Sequence, residues 1–416
     1  MDGALICATM TQITALSTIE LRQKRALLLS LTAVQFVHVL DFVIVMPLGP
    51  QLMEDLGAST ATFGLFVSAY NVAAALAGLG GALLLDRFDR RNALVSVFVG
   101  LALSTVACAL VLDSSMLIAS RFLAGIFGGL VQAILFTIVG DCFAERERGA
   151  AVGTVMSAFS VASILGIPLG LFLADRWGWR APFVGLGLVS IFIGIAVHHC
   201  LPPLRSHLGS PRRRRFRQEW AELKSLIVRR QSIDAFLFVI ALMFAGFSVI
   251  PYVSTYLVSN IGLTSGDLAS VFLAGGIVTF ATARWIGRLA DRFGKSRTFS
   301  WLAVASVVPI LVLTHLPQVP VLVALIATAI FTLSISARGI PALAMITASI
   351  ERSRRGRFLS LTSSVQQMAS GVASLLAGWI LHRGLDGRLD HFGKAGILAA
   401  VFSLLAVFFA RRLRQA

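Results

Sequence analysis

The sequence predicts an all-α membrane protein of twelve transmembrane helices in two pseudo-symmetric six-helix bundles. Three observations carry this prediction. The chain of 416 residues is 57% hydrophobic and only 13% charged, with mean hydropathy +0.84, where a soluble domain averages about a quarter charged. It holds twelve apolar stretches, each near the roughly 20 residues that a helix needs to cross a bilayer. One charged signature also occurs twice, as GALLLDRFDRRNALV around Asp86 and GRLADRFGKSRTF around Asp291, 205 residues apart and each between two apolar stretches. Repetition of a hairpin loop in both halves is the mark of a duplicated bundle, and such bundles are the usual architecture of secondary transporters. The implication is movement of a solute across a membrane rather than chemistry.

In chain order the spans are expected at 27–49, 62–85, 93–112, 115–140, 150–174 and 181–200, then at 233–258, 267–289, 298–315, 319–348, 357–381 and 393–410. Pro and Gly inside several of them are tolerable, because neighbouring helices can satisfy the freed backbone groups. The organisation is an N-terminal segment (1–26), a first bundle (27–200), a basic linker (201–232), a second bundle (233–410) and a tail (411–416). The linker reads PRRRRFR and then EWAELKSLIVRR, with Trp220, Leu223 and Ile227 on one helical face. It is expected to lie along the membrane surface as a tether between bundles. A second landmark supports duplication: AERERGAAVGTVMS and IERSRRGRFLSLTSS align on Arg148-Gly149 and Arg355-Gly356, offset by 207.

Placing the N-terminus in the cytoplasm puts 28 of the 36 Lys and Arg residues in inner segments and 5 in outer loops. That bias sets both termini and the linker inside, in what is expected to be a bacterial inner membrane. The same distribution disposes of a nucleic-acid reading of the net charge of +16, since the basic residues punctuate apolar runs. Cys7, Cys108, Cys142 and Cys200 have no paired or metal-ligand spacing, and Cys7, Cys142 and Cys200 fall on the inner side, where thiols stay reduced. Residues 1–21 lack the basic start and clean apolar core of a cleavable signal peptide, and Met10 is a second candidate start. No HExxH, no GxxxxGK loop and no Ser-His-Asp candidate is present, which argues against an enzyme, including a polytopic membrane enzyme, and against an ATP-driven pump.

Thr32, Gln35, His38 and Asp41 recur every three residues and so share one stripe of the first span. Asp41 is the one acid among 20 placed deep in a span, and an intramembrane carboxylate faces a cavity or a partner and marks an ion path. Arg121 lies at a similar depth in the fourth span. A carboxylate that alternates between an arginine partner and desolvation can take up a proton on one side and release it on the other; a static buried ion pair is the alternative. His38, one turn from Asp41, either relays a proton or is a neutral hydrogen-bonded side chain. Arg338, beside Gly339 and Pro341 in the tenth span, has an anionic substrate group, a backbone carbonyl or Asp41 as candidate partners. Gln35, Asn71, Gln132, Tyr252 and Gln366 are candidates for a substrate cavity, although helix–helix hydrogen bonds would also explain them.

Asp86 and Asp291 each end a span and are followed by arginines. A helix C-terminus favours the arginines but not the acid, unless the acid has a partner. Asp86, Arg87, Arg90 and Arg91, with Gly287, Asp291, Arg292 and Gly294, are therefore read as two conformational latches, against the alternative of plain topology marking.

These residues resemble the loop after the second span of the major facilitator superfamily, Gly-x-Leu-Ala-Asp-Arg-x-Gly-Arg-Arg. Gly287, Leu289, Ala290, Asp291, Arg292, Gly294 and Lys295 fit it, while the first copy keeps Asp86, Arg87, Arg90 and Arg91 but has Ala82 and Asp89 where the family has glycine. Arg121-Phe-Leu-Ala-Gly125 resembles a second family motif. Gly166-Ile-Pro168-Leu-Gly170, followed by Trp177-Gly-Trp-Arg180, is similar to a shortened fifth-span antiporter motif. The nearest branch in that resemblance is the twelve-span efflux branch close to arabinose-efflux-like permeases. It implies a central cavity lined by the first, fourth, seventh and tenth spans, and a fifth span that seals one side against proton leak, with simple small-residue packing as the alternative there. It also implies a proton-coupled antiporter that exports a drug, sugar or other metabolite as a monomer, with the proton gradient in place of any cofactor. Import by symport or uniport is the alternative.

Overall fold

The computed structural model describes residues 24–84, 88–201, 204, 227–349 and 355–413. Twelve long helices occur among them. The first six are α1 (Lys24–Ile44), α2 (Thr60–Leu84), α3 (Arg90–Ala109), α4 (Ser114–Cys142), α5 (Arg146–Trp177) and α6 (Arg180–Cys200). The second six are α7 (Arg230–Ile261), α8 (Ser265–Phe293), α9 (Lys295–Thr314), α10 (Val321–Ala348), α11 (Arg355–Ile380) and α12 (Phe392–Arg412). Eleven of them are both long and apolar enough to cross a membrane. The exception is α11, whose 26 residues include Ser364, Gln366, Gln367, Ser370 and Ser374. Its polarity has a packing reason: Ser364, Ser370 and Ser374 are buried, and Gly371 sits against Ser68, Asn71 and Val72 of α2. This helix is solvated on one side by protein.

Local signals set the helix ends. Asp113 caps α4 by accepting from the Met116 amide at 2.8 Å. Thr264 and Asp267 form a reciprocal capping box at the start of α8. Gly178, at φ 79°, turns the chain between α5 and α6. Two helices are broken inside their spans. In α5 a π-turn covers Ala162–Gly166, directly before Pro168, whose missing N–H and bulky ring disrupt the regular ladder there. In α7 a 3₁₀ turn at Ile250–Tyr252 contains Pro251.

The bundles are joined at one end, and at the other their apolar cores are distinct among the described residues. The connections after α2, α4 and α8 lie at the basic end, and those after α1, α7 and α11 at the far end. One continuous apolar core runs through the first bundle and takes in Tyr252, Leu257, Ile310, Leu381 and Phe392 of the second, all from its far end. A separate core at the basic end belongs to the second bundle alone and contains Phe238, Phe299, Met345, Phe358 and Val407. Thr60 Oγ1 donates to the Leu381 carbonyl at 2.6 Å, and the Tyr252 hydroxyl donates to the Thr60 carbonyl at 3.4 Å. The Phe42 and Phe247 rings lie 6.1 Å apart, and Gly276 of α8 packs on Ser163 and Ile164 in the α5 π-turn. Toward the basic end the contact of α2 with α11 extends as far as Gly78 and Ser364.

Candidate functional site

Small residues bring α2 and α4 together. A Cβ added at Gly125 would collide with the Tyr70 backbone, at Gly129 with the Ala74 backbone, and at Gly128 with the Tyr70 hydroxyl and His38 Nδ1. Spacing by three and four residues puts these glycines on one face, where absent side chains let backbones approach. Tyr70 therefore lies directly on α4, over Arg121.

Around it the first four helices converge on one buried polar cluster. Asp41 (α1) and Arg121 (α4) are both 0% exposed. The Arg121 Nη1 donates to Asp41 Oδ2 at 3.4 Å and to the Asp41 main-chain carbonyl at 3.1 Å. Thr105 Oγ1 of α3 stands 2.8 Å from Asp41 Oδ1. The guanidinium sits 4.5 Å above the Tyr70 ring, a favourable cation–π position, while its Nε has no acceptor. The Tyr70 hydroxyl and His38 Nδ1 are 3.2 Å apart, and Gln132 of α4 lies beside the same imidazole. Phe42 stacks on Tyr70 at 5.4 Å and touches Phe247 of the second bundle. Two neighbours matter that the sequence reading did not single out for the site: Tyr70 as the bridge and Thr105 as the third group on the carboxylate. A polar residue inside an apolar helix is the only sequence signal that either offers.

The cluster is not central along its helices. Asp41 lies three residues from the end of α1 and Arg121 seven from the start of α4, or within about 10 Å of the far end at 1.5 Å per residue. In this arrangement it is shut under the far-end contacts. Gln35 is buried on the same stripe of α1.

Other predicted residues go elsewhere. Tyr252 is fully buried in the far-end closure, beside Gly64 and Gly378. Asn71 is also buried between the halves and donates to the Val67 carbonyl at 2.9 Å, leaving its own Oδ1 without a donor. Gln366 is exposed on α11, turned away from the face that meets α2. Arg338 is not with Asp41. It is buried inside the second bundle, donating to Ser403 Oγ at 2.7 Å and Ser306 Oγ at 3.2 Å, and no carboxylate pairs with it among the described residues. Gly166 and Gly170 pack on Leu40 and Ile44 of α1, in their own bundle. The contact with the other half comes from Ser163 and Ile164, one turn earlier.

Asp86 and Arg87 lie outside the described residues, as do Trp220 and Leu223 of the linker. Asp89, at a family glycine position, caps α3 by accepting from the Arg91 amide at 2.9 Å and the Leu204 amide at 3.2 Å. Arg90 Nε pairs with Asp141 Oδ2 at 3.4 Å, and Arg91 donates to the His198 carbonyl. This first copy of the signature thus ties helices of its own bundle together. In the second copy, Gly294 adopts φ 89°, nothing crowds Gly287, and Asp291 and Arg292 are exposed. The Asp291 carboxylate has no ion pair among the described residues.

Comparison with known proteins agrees with this geometry. Over 86% of this chain and 89% of that protein, the chain is 24% identical to the uncharacterized MFS-type transporter YbcL of Bacillus subtilis. It is 25% identical to a probable sugar efflux transporter of Mannheimia succiniciproducens, over 53% of this chain and 55% of the other. Its fold superposes on the crystal structure of a D-xylose–proton symporter with a TM-score of 0.73 at 17% identity, covering 92% of this chain and 97% of that one. The sequence profile of the Major Facilitator Superfamily matches residues 31–340 and 236–416. These two matches together span both bundles, so the chain belongs to the Major Facilitator Superfamily.

Proposed function

We propose that this transporter is a proton-coupled antiporter that exports a small organic molecule by alternating access, with Asp41 as the proton carrier. The observation that carries the reading is the Asp41–Arg121–Thr105 cluster, shut under the far end with the His38–Tyr70 arm attached. Ionised, Asp41 matches Arg121, and the buried pair needs no further counter-charge. A proton on Asp41 removes the charge that holds Arg121 and leaves the guanidinium to Tyr70 and to any acceptor that reaches its free Nε. Because Phe42 links this cluster to Phe247 across the halves, a change in the pair bears on the far-end closure. With the basic end cytoplasmic, the arrangement described is inward-facing, and the unpaired Asp291 fits a latch that engages in the opposite state. The names of relatives such as the probable sugar efflux transporter favour export, and sugars are the first substrate class to screen.

The test is substrate-driven proton release in proteoliposomes, comparing the native protein with Asp41→Asn. Asparagine keeps the shape and an acceptor for Thr105 but cannot carry a proton at this position. The expected outcome is loss of proton release with substrate counterflow, which needs no net proton movement, retained. Full proton release by the variant would overturn the reading.

A further inference from the structure

Outside the bundle, a groove of about 430 Å³ opens between α9 and α12 at the basic end. Its rim carries Arg297 and Arg411, its walls include Trp301, Val304 and Ala305, and no acidic side chain lines it. Neither guanidinium makes an ion pair among the described residues. The base is fixed by hydroxyls: Ser296 Oγ donates to the Ala410 carbonyl on α12, and Ser300 Oγ donates to the Ser296 carbonyl. Polarity falls steadily with depth. Val304 lies seven residues, about 10 Å, from Arg297 along α9, and Trp301 between them is 55% exposed, at the level where indole rings favour the membrane interface. On α12 a second groove of about 380 Å³ is lined by Val401, Leu404, Leu405 and Phe408, within the ten residues before Arg411. Cations at the rim, an interfacial aromatic below them and two apolar grooves beneath match the profile of a phospholipid: phosphate, glycerol, acyl chains.

Duplication sharpens the assignment. In the first bundle the helix after the charged loop begins at Asp89, whose carboxylate accepts from the Arg91 amide. In the second, 205 residues on, that position is Gly294, which brings no capping side chain. The first bundle places a carboxylate at the start of this helix, while in the second neither that position nor the lining of the groove carries one, and Arg297 and Arg411 have no ion pair among the described residues.

We propose that the α9–α12 groove is a binding site for an anionic phospholipid, its phosphate held by Arg297 and Arg411 and its acyl chains laid along α9 and α12. The partner is a lipid rather than free phosphate, because the apolar grooves supply contacts that only acyl chains can fill.

The experiment uses the purified full chain, delipidated and titrated with phosphatidylglycerol or with phosphatidylcholine of the same acyl chains, bound lipid being counted by native mass spectrometry. Phosphatidylglycerol is expected to bind in preference. The double variant Arg297→Gln/Arg411→Gln should weaken it about 30-fold, the ~2 kcal/mol of two arginines at roughly 1 kcal/mol each, without changing phosphatidylcholine. Each single variant, expected near fivefold, keeps the test decisive should the double variant fold poorly. Equal binding of the two lipids would overturn the proposal. So would an equal loss in a control pair at the same end, Arg229→Gln/Arg288→Gln, because that result means a diffuse field. Displacement of phosphatidylglycerol by millimolar inorganic phosphate would show an ion site instead of a lipid site and overturn it as well.

Discussion

At the scale of single residues, the site depends as much on absent atoms as on present ones. Gly128 gives the Tyr70 hydroxyl and the His38 ring the space they share on α4. Gly128→Ala must push one of them aside, and overpacking of this kind costs about 1–3 kcal/mol. The variant is expected to lower the thermal midpoint and slow transport, and Tyr70→Phe in the same chain should restore part of the midpoint, because it removes the nearer colliding atom but keeps the ring carbon at 2.9 Å. Failure of that rescue, read by thermal unfolding in detergent, would mean that the cluster is not packed through Gly128. Arg338 presents the opposite case, a buried cation with hydroxyl partners only. Burying an uncompensated charge is costly, so its retention beside Ser306 and Ser403 is a demand that packing alone does not explain.

At the scale of elements, both broken helices lie where the halves meet. In α5 the π-turn ahead of Pro168 presents Ser163 and Ile164 to Gly276 of α8. In α7 the turn at Pro251 delivers Tyr252 into a slot between α2 and α11, with Phe63 edge-on to its ring at 5.5 Å. Its hydroxyl reaches the Ser374 carbonyl of its own bundle and, across the halves, the Thr60 carbonyl at 3.4 Å. Loss of such a hydrogen bond is worth about 1 kcal/mol, or roughly a fivefold shift in a two-state equilibrium. Tyr252→Phe is therefore expected to raise the population open at the far end by about that factor. Spin labels at Ser59→Cys and Asp386→Cys, both exposed there, would report it as a longer distance component; an unchanged distribution would remove Tyr252 from the closure.

At the scale of the whole molecule, far-end contacts between the halves and distinct apolar cores at the basic end fit one state of a rocking pair of bundles, the motion that duplicated transporters share. Its relation to the two sides of the membrane rests on charge. If the basic end is cytoplasmic, a membrane-impermeant maleimide should label Leu385→Cys in intact cells and reach exposed Cys200 only after permeabilisation. The reverse pattern would invert the topology and, with it, the proposed direction of transport.

Much of this fold was legible in the residues because lipid imposes a simple rule: every span must be about 20 residues, mostly apolar, with its cations parked between spans. Only α11 departs, and it does so where α2 replaces lipid as its solvent. The candidate site was legible in part. Asp41 and Arg121 stood out because charge in hydrocarbon is expensive, and the structure brings them into contact. Tyr70 and Thr105 did not stand out, since a phenol or hydroxyl inside a span is ordinary and can bond within its own helix. Gly166, Gly170 and Tyr252 were visible as residues, but not the surfaces that they meet.

The sequence by itself determined the number of spans, their duplication and the charges that they must shelter, because these follow from the cost of moving each segment out of water. Only the tertiary structure decided which buried groups are neighbours: Arg121 with Asp41, Arg338 with two serines, Tyr252 with the backbone of the opposite half. The periodicity of a helix tells which of its faces is polar. What that face looks upon is set by close packing among twelve helices at once.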